Sequence, residues 1–251
     1  MSSTNGAGVA EVLPDHDVSC ALVIVAHPDD AEFWAGGTIA LWSEAGCKVT
    51  YLLLTDGGAG GFDRRLPRSE LPRIRQQEQR DAAAILGSDD VRFLVRPEGS
   101  LSMLPDLRLE LVRVIRQVRP QRVLTWSPEW NWTRFRTSCH VDHRATGELA
   151  LTAIYPDAGN RFAHPQLLED EGLEPWNVPE IWLINGREPD YYVDITDVFD
   201  RKIAALRAHA SQTAHPDRLV DNMRRRMMPN RIAAGLPEGR VAEAFQIVSN
   251  T

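Results

Sequence analysis

Cys20-Ala21-Leu22-Val23-Ile24-Val25-Ala26, followed at once by His27-Pro28-Asp29-Asp30, is a short unbroken apolar run that ends in polar, proton-carrying side chains. An apolar run of this length, bounded by turn residues, reads as a strand buried on both faces, and such strands belong to parallel sheets covered by helices. Working outward, residues 33–45 predict a helix and 49–54 a second buried strand, after which Gly57, Gly58, Gly60 and Gly61 break the chain into a loop. A helix over 72–86 stops at Gly87, 91–95 forms a third strand, and a helix over 104–118 carries Leu107, Leu111, Val114, Ile115 and Val118 on one stripe. Strand four is Val123 to Trp126. This alternation predicts an α/β fold: a Rossmann-like, doubly wound, mostly parallel sheet with helices on both faces.

Further along, the pattern predicts a helix over 142–155, a proline-rich loop, short strands at 180–184 and 191–193, and a helix over 197–209. Asp194 and Asp197, which bracket Thr196, are expected to cap that last helix. The organisation expected is a flexible N-terminus over 1–18, one domain over 19–212, and an extension over 213–251 packed on the same domain. The Arg- and Met-rich stretch from Arg224 to Met228 reads as a solvated helix face, with a subunit contact as the sharper reading.

The 251 residues carry 35 acidic and 28 basic side chains, a net charge of −7, which argues against a phosphate-backbone binder, so no nucleic-acid partner is expected. No apolar run is long enough to span a bilayer and the polar start lacks a signal-peptide pattern, so the expectation is a cytoplasmic protein without a membrane partner. Cys20, Cys47 and Cys139 are far apart and form no CxxC pair, which suggests neither a disulfide framework nor a thiolate zinc site.

In open α/β sheets, ligands bind outside the carboxyl ends of the strands. His27, Asp29 and Asp30 follow strand one directly, and a second cluster, Cys139-His140-Val141-Asp142-His143, lies in the loop after strand four. Strands one and four are neighbours in the 3-2-1-4 order, so both clusters should meet in one pocket. Two neutral imidazoles and a carboxylate with an open fourth position suit catalytic zinc, whose bound water ionises near pH 7. The same set also suits a non-haem Fe(II) oxygenase, although there the pattern is HxD rather than an HxxD that opens a helix.

These residues resemble the LmbE-like, or PIG-L, N-deacetylases. The first family signature matches His27-Pro28-Asp29-Asp30-Ala31-Glu32 through Gly36-Gly37-Thr38, and the second matches His140-Val141-Asp142-His143, with Val141 in place of the usual proline. The likeness runs from Cys20 to Gln212 and includes Thr55-Asp56-Gly57, Arg75 to Glu78, Pro97-Glu98-Gly99 and His209 to Gln212. It implies that His27, Asp30 and His143 bind one Zn2+, with Fe2+ or Co2+ as substitutes, and that Asp29 is the general base. His140 would stabilise the oxyanion or protonate the leaving amine, and Asp142 would orient a ligand imidazole. Arg75 and Glu98 would hold sugar hydroxyls, Glu98 standing where many members carry Asp, and His209 would approach the site. Ser138 stands where some relatives have Tyr.

The function this implies is removal of an N-acyl group, acetyl first, from an amino sugar or glucosamine-containing metabolite by a protein that is free to form a homo-oligomer. Alternatives are a mycothiol-conjugate-type amidase or natural-product deacylase of the same family and, in another class, a non-catalytic metal-dependent sugar-binding protein. Trp126 is expected in the core, whereas Trp130 and Trp132 read either as packing or as a platform for substrate. The glycine loop at 57–61 follows the second strand, not the first, and opens no helix, so it reads as a flexible pocket rim rather than a dinucleotide fingerprint.

Overall fold

The structure, a computed structural model, describes residues 12–103, 105–213 and 215–250. The main elements in chain order are β1 (Cys20–Val25), α1 (Asp30–Glu44), β2 (Lys48–Thr55), α2 (Leu71–Leu86), β3 (Asp90–Arg96), α3 (Pro105–Val118) and β4 (Arg122–Trp126). These are followed by α4 (Val141–Thr152), β5 (Glu180–Ile184), β6 (Tyr191–Asp194), α5 (Phe199–Ala208), α6 (Leu219–Ala233) and β7 (Ala242–Ser249). The seven strands form one sheet in the order β3-β2-β1-β4-β5-β7-β6. β1 to β5 are parallel, and β7 runs antiparallel to both of its neighbours.

Alternation along β1 explains why its whole sequence is apolar. Ala21, Val23 and Val25 enter one core with Tyr51 and Leu53, while Leu22 and Ile24 enter a second core with Leu52 and Leu54 on the opposite face. On the first side α1, α2 and α5 supply Ile39, Trp42, Leu86 and Leu206. On the second, α3 and α4 supply Leu107, Leu111, Ile115 and Leu149. Each such side chain, fully buried, contributes about 1.5–3 kcal/mol. Strand order reverses between β1 and β4, so the chain leaves the sheet at His27 and at Ser127 on adjacent strands, the point where doubly wound sheets open a crevice.

Several boundaries differ from the sequence reading for identifiable reasons. α1 begins at Asp30 rather than Phe33, because its first turn carries the buried carboxylates Asp30 and Glu32, which apolar periodicity does not register. α4 ends at Thr152 rather than Tyr155: the residue before a proline is forced into extended backbone, and Tyr155 before Pro156 has φ −137° and ψ 127°. Of residues 1–18, expected to be flexible, 1–11 lie outside the described residues, while Leu13 donates its N–H to Glu180 (2.6 Å) and Asp15 pairs with Arg122 (2.7 Å). The 213–251 stretch supplies β7 to the sheet itself. Asp194 accepts the Thr196 N–H (3.0 Å) and hydroxyl, whereas Asp197 makes no capping bond.

Candidate metal centre and active site

His27 is the second residue past the end of β1, and His143 lies in the first turn of α4. His27 Nδ1 and His143 Nε2 lie 3.2 Å apart, and the Asp30 carboxylate reaches both, at 3.5 Å and 3.3 Å. Asp30 Oδ2 accepts the His27 backbone N–H (2.9 Å) and the Trp126 indole N–H (3.1 Å), which leaves Oδ1 turned to His143. His143 is held flat on Trp126, with ring centroids 3.8 Å apart and planes 8° apart.

The tautomers follow from the outer bonds. Asp142, fully buried, lies 3.0 Å from His27 Nε2, and its carboxylate also accepts the N–H groups of Gly99 (2.6 Å) and Leu101 (3.1 Å). A carboxylate acceptor places the His27 proton on Nε2. The Thr137 carbonyl, 2.7 Å from His143 Nδ1, can only accept, so that nitrogen carries the proton of the second ring. Two imidazole lone pairs and the Asp30 carboxylate therefore face one another, each ring within 3.5 Å of one of its oxygens. Such an arrangement repels itself unless a proton or a cation sits between them, and the donor set suits a metal ion with oriented imidazole ligands.

The electrostatics agree. Burial opposes charge on His27, but the Asp30 carboxylate and the Asp142 hydrogen bond outweigh it and raise the His27 pKa to about 10. Burial also opposes ionisation of Asp30, yet His143 and His27 hold its carboxyl well below the usual range. A metal entering here displaces a proton, which links its affinity to pH. His140 completes a group of three histidines whose ligand atoms lie within 4.8 Å of one another, so it too is within reach of an ion held by His27 and His143. Burial and the two neighbouring imidazoles lower the His140 pKa. Its Nδ1 accepts the Asp142 N–H (3.3 Å), which leaves Nε2–H as the free donor of the neutral ring.

Asp29 stands beside this cluster in a left-handed conformation (φ 92°, ψ −22°), which L side chains rarely adopt and which persists only where its surroundings fix it. Here Gln79 accepts the Asp29 N–H (3.0 Å), and Arg75 bonds the Pro28 carbonyl and the Asp29 carboxylate (3.3 Å). Burial pushes Asp29 up to about 6, with the Arg75 and His209 cations pulling the other way.

Arg75 is only 3% exposed, not on a solvated helix face, and it also donates to the Gly57 carbonyl (2.8 Å) and lies 3.5 Å from Glu98. Gly57 has φ +65°, and a Cβ there would fall 2.6 Å from the Arg75 guanidinium, so the glycine loop is wrapped on this side chain. Gly61 donates to Gln212 (3.0 Å), a second tie on the segment expected to be a flexible rim. Glu98 accepts the Ala59 N–H (3.0 Å). His209 is buried 3.2 Å from Glu32, and against the effect of burial that carboxylate raises the His209 pKa. Trp130 lies apart from these residues: it is 42% exposed, stacks on Trp132 with centroids 5.1 Å apart, and is covered by the Arg144 guanidinium. Trp126 is in the core.

Sequence reading missed Gln79 and Glu32, which are bonded to each other (2.8 Å) and connect Asp29 to His209. A signal existed. Arg75, Glu78 and Gln79 are polar positions on the helical stripe that continues as Ala82, Ala83 and Leu86, all of them buried, and polar residues on a core-facing stripe mark a site.

Comparison with known proteins fits this arrangement. Diacetylchitobiose deacetylase from Thermococcus kodakarensis is 36% identical over 199 residues, covering 79% of this chain and 72% of the relative. The solved structure of N,N'-diacetylchitobiose deacetylase from Pyrococcus horikoshii, complexed with its inhibitor MPG, superposes with a TM-score of 0.84 at 31% identity, over 94% of this chain and 86% of that one. GalB, the 4-carboxy-2-hydroxymuconate hydratase from Pseudomonas putida KT2440, superposes with a TM-score of 0.75 at 25% identity, over 93% and 97% of the two chains. Residues 22–154 match the family described as PIG-L, GlcNAc-PI de-N-acetylase, and with both signature clusters gathered at the β1/β4 switch point, the chain belongs to the PIG-L family.

Proposed function

We propose that this protein is a zinc-dependent hydrolase that removes an N-acetyl group from an amino sugar or a glucosamine-containing metabolite. The observation that carries the reading is the convergence of His27 Nδ1, His143 Nε2 and the Asp30 carboxylate beside a carboxylate, Asp29, that is not drawn into that convergence. Relatives named as diacetylchitobiose deacetylases support the substrate class.

His27, Asp30 and His143 would hold the ion, which when bound polarises a carbonyl and acidifies water. Asp29, with a pKa raised toward neutrality, takes a proton from the attacking water and can return it to the departing nitrogen. The Nε2–H of neutral His140 would donate to the oxygen that gains charge as the carbonyl is attacked. The amide C–N bond breaks, water supplies one oxygen and two protons, and the products are acetate and a free amine. Asp142 fixes the His27 ring, and Arg75 with Gln79 fixes the Asp29 turn.

The test is acetate and amine release from N-acetylglucosamine, its glycosides and N,N'-diacetylchitobiose by wild type, chelator-treated protein and Asp29→Asn. The expected result is equimolar acetate and amine from metal-loaded wild type only, with Asp29→Asn retaining metal but losing roughly 10²–10⁴-fold in kcat. Unchanged turnover in Asp29→Asn would overturn the assignment. Water addition without amine release would point instead to chemistry of the hydratase kind found in the GalB relative. Metal content of Asp30→Asn and His140→Asn, compared side by side, decides which of the two completes the ligand set.

A further inference from the structure

A cleft of about 520 Å³ lies beside the metal centre and is lined by Arg134, Arg136, Arg225 and Arg226 together with Trp34 and Thr137, and no acidic side chain lines it. Four cations without a carboxylate form a local field opposite to that of a chain whose net charge is −7. Elsewhere in this protein Arg92, Arg96 and Arg113 each meet a carboxylate, at 2.9, 3.1 and 2.8 Å. Among the described residues neither Arg134 nor Arg226 has a carboxylate or carbonyl partner. What holds them is aromatic. The Arg226 guanidinium lies 4.2 Å from the Trp34 ring centroid and the Arg134 guanidinium 5.4 Å from the same ring. Cation–π contact positions a guanidinium while leaving its N–H groups free to donate.

Burial, and then the Arg134 cation, lower the Arg226 pKa to about 10, with Asp30 and Asp29 pulling it back up. Arg226 therefore keeps its charge at neutral pH and lies within the field of both site carboxylates. The structural link is short. Trp34 packs edge-on against Trp126 (5.5 Å between centroids), Trp126 stacks on His143, and Thr137 accepts the His143 Nδ1–H. Thr137 therefore belongs both to the lining of the cleft and to the hydrogen bonds that hold His143.

We propose that this cleft is an anion subsite of the active site, in which Arg134 and Arg226 bind a carboxylate or phosphate monoester carried by the amino-sugar substrate. The inference rests on the amidohydrolase reading for the amide end of the substrate, while the anion site stands on the arginine cleft itself. Two forks fixed on one indole with their donors free suit the oxygens of one oxyanion.

The experiment compares acetate release from three N-acetylglucosamine derivatives: the neutral methyl glycoside, the carboxymethyl glycoside and the anomeric phosphate. The readout is the ratio of kcat/KM for each anionic derivative to that for the neutral one. Wild type is expected to favour at least one anionic derivative by tenfold or more, and Arg134→Gln and Arg226→Gln are each expected to lower that ratio about tenfold, as loss of a charge-assisted bond does. The favoured derivative identifies carboxylate or phosphate. Arg226→Lys, which keeps the charge but not the fork, should recover part of the ratio, as a merely structural arginine would not. Equal ratios in wild type and both variants would overturn the proposal. Calorimetric titration with inorganic phosphate gives a readout independent of turnover. Binding weakened in the Arg134→Gln/Arg226→Gln double variant supports the subsite even if no derivative releases acetate, in which case the deacetylase reading alone falls. Identical phosphate binding in wild type and the double variant overturns the subsite.

Discussion

Gly147→Ala tests how the second metal-site cluster is held. Gly147 lies on α4, one turn after His143, where the helix crosses the end of β4. A Cβ at this position would fall 2.3 Å from the Trp126 carbonyl oxygen and 2.9 Å from the Pro128 nitrogen. Both are backbone atoms, so no side chain can swing away. Restoring an ordinary contact of 3.4 Å from 2.3 Å requires helix and strand end to separate by about 1.1 Å. Overpacking of this kind costs about 1–3 kcal/mol, offset by up to about 1 kcal/mol from the better helix propensity of alanine. Stability should therefore fall modestly, read as a lower urea midpoint with an unchanged slope. Activity should fall much further. Trp126 both stacks on His143 and donates to Asp30, so the separation opens the 3.2 Å approach of His143 to His27. A misplacement near 1 Å costs on the order of 10²-fold in turnover. Wild-type midpoint, metal affinity and acetate release in Gly147→Ala would refute this account of how α4 delivers its histidine.

Other outcomes follow from single bonds. Asp142→Asn has one oxygen to serve His27, Gly99 and Leu101, so the His27 ring loses its fixed tautomer, and metal affinity should drop roughly 10–100-fold in a chelator competition; unchanged affinity would remove Asp142 from the centre. Glu243, fully buried on β7, accepts from Lys202 (2.7 Å) and from the Gly37 and Thr38 N–H groups (3.0 and 2.7 Å), so Glu243→Gln should cost about 3–5 kcal/mol in urea unfolding, and a loss below about 1 kcal/mol would contradict the pairing. Although burial raises the Asp194 pKa, hydrogen bonds from Thr196 and Arg240 bring it below the usual value. A depressed folded pKa gives stability that is fully present above the unfolded carboxylate value of about 3.9 and is lost as pH falls through the folded one. Asp194→Asn should therefore be about 1 kcal/mol less stable than wild type at pH 7, and the two should converge in acid; a gap independent of pH would show that the charge is not what matters.

Four parallel strands, the switch point and both polar clusters at the strand ends were legible in the sequence. β1 to β4 are short apolar runs and the clusters follow two of them directly, so the rule for strand carboxyl ends places His27, Asp30, His140 and His143 together without any coordinates. Residues such as Arg75 and His209 were reachable only through family likeness, and their bonds to Asp29 and Glu32 came from the structure. The C-terminal stretch was not legible. α6 buries only Leu219, Met223 and Met227, a stripe too narrow to stand out. β7 carries a buried glutamate at a position where an apolar residue would have signalled a strand.

Local chemistry thus determined the sheet's parallel half and the ligand types at its edge, because strand burial, turn residues and motif spacing are properties of neighbouring residues. Only the tertiary structure decided that β7 enters between β5 and β6, that Glu243 meets Lys202 inside the core, and that Arg134 and Arg226 share the Trp34 ring. Each of these joins segments far apart in the chain. A charge or an edge strand carries no mark of its partner in its own flanking sequence, since the free energy that selects the partner is realised only when both are desolvated together.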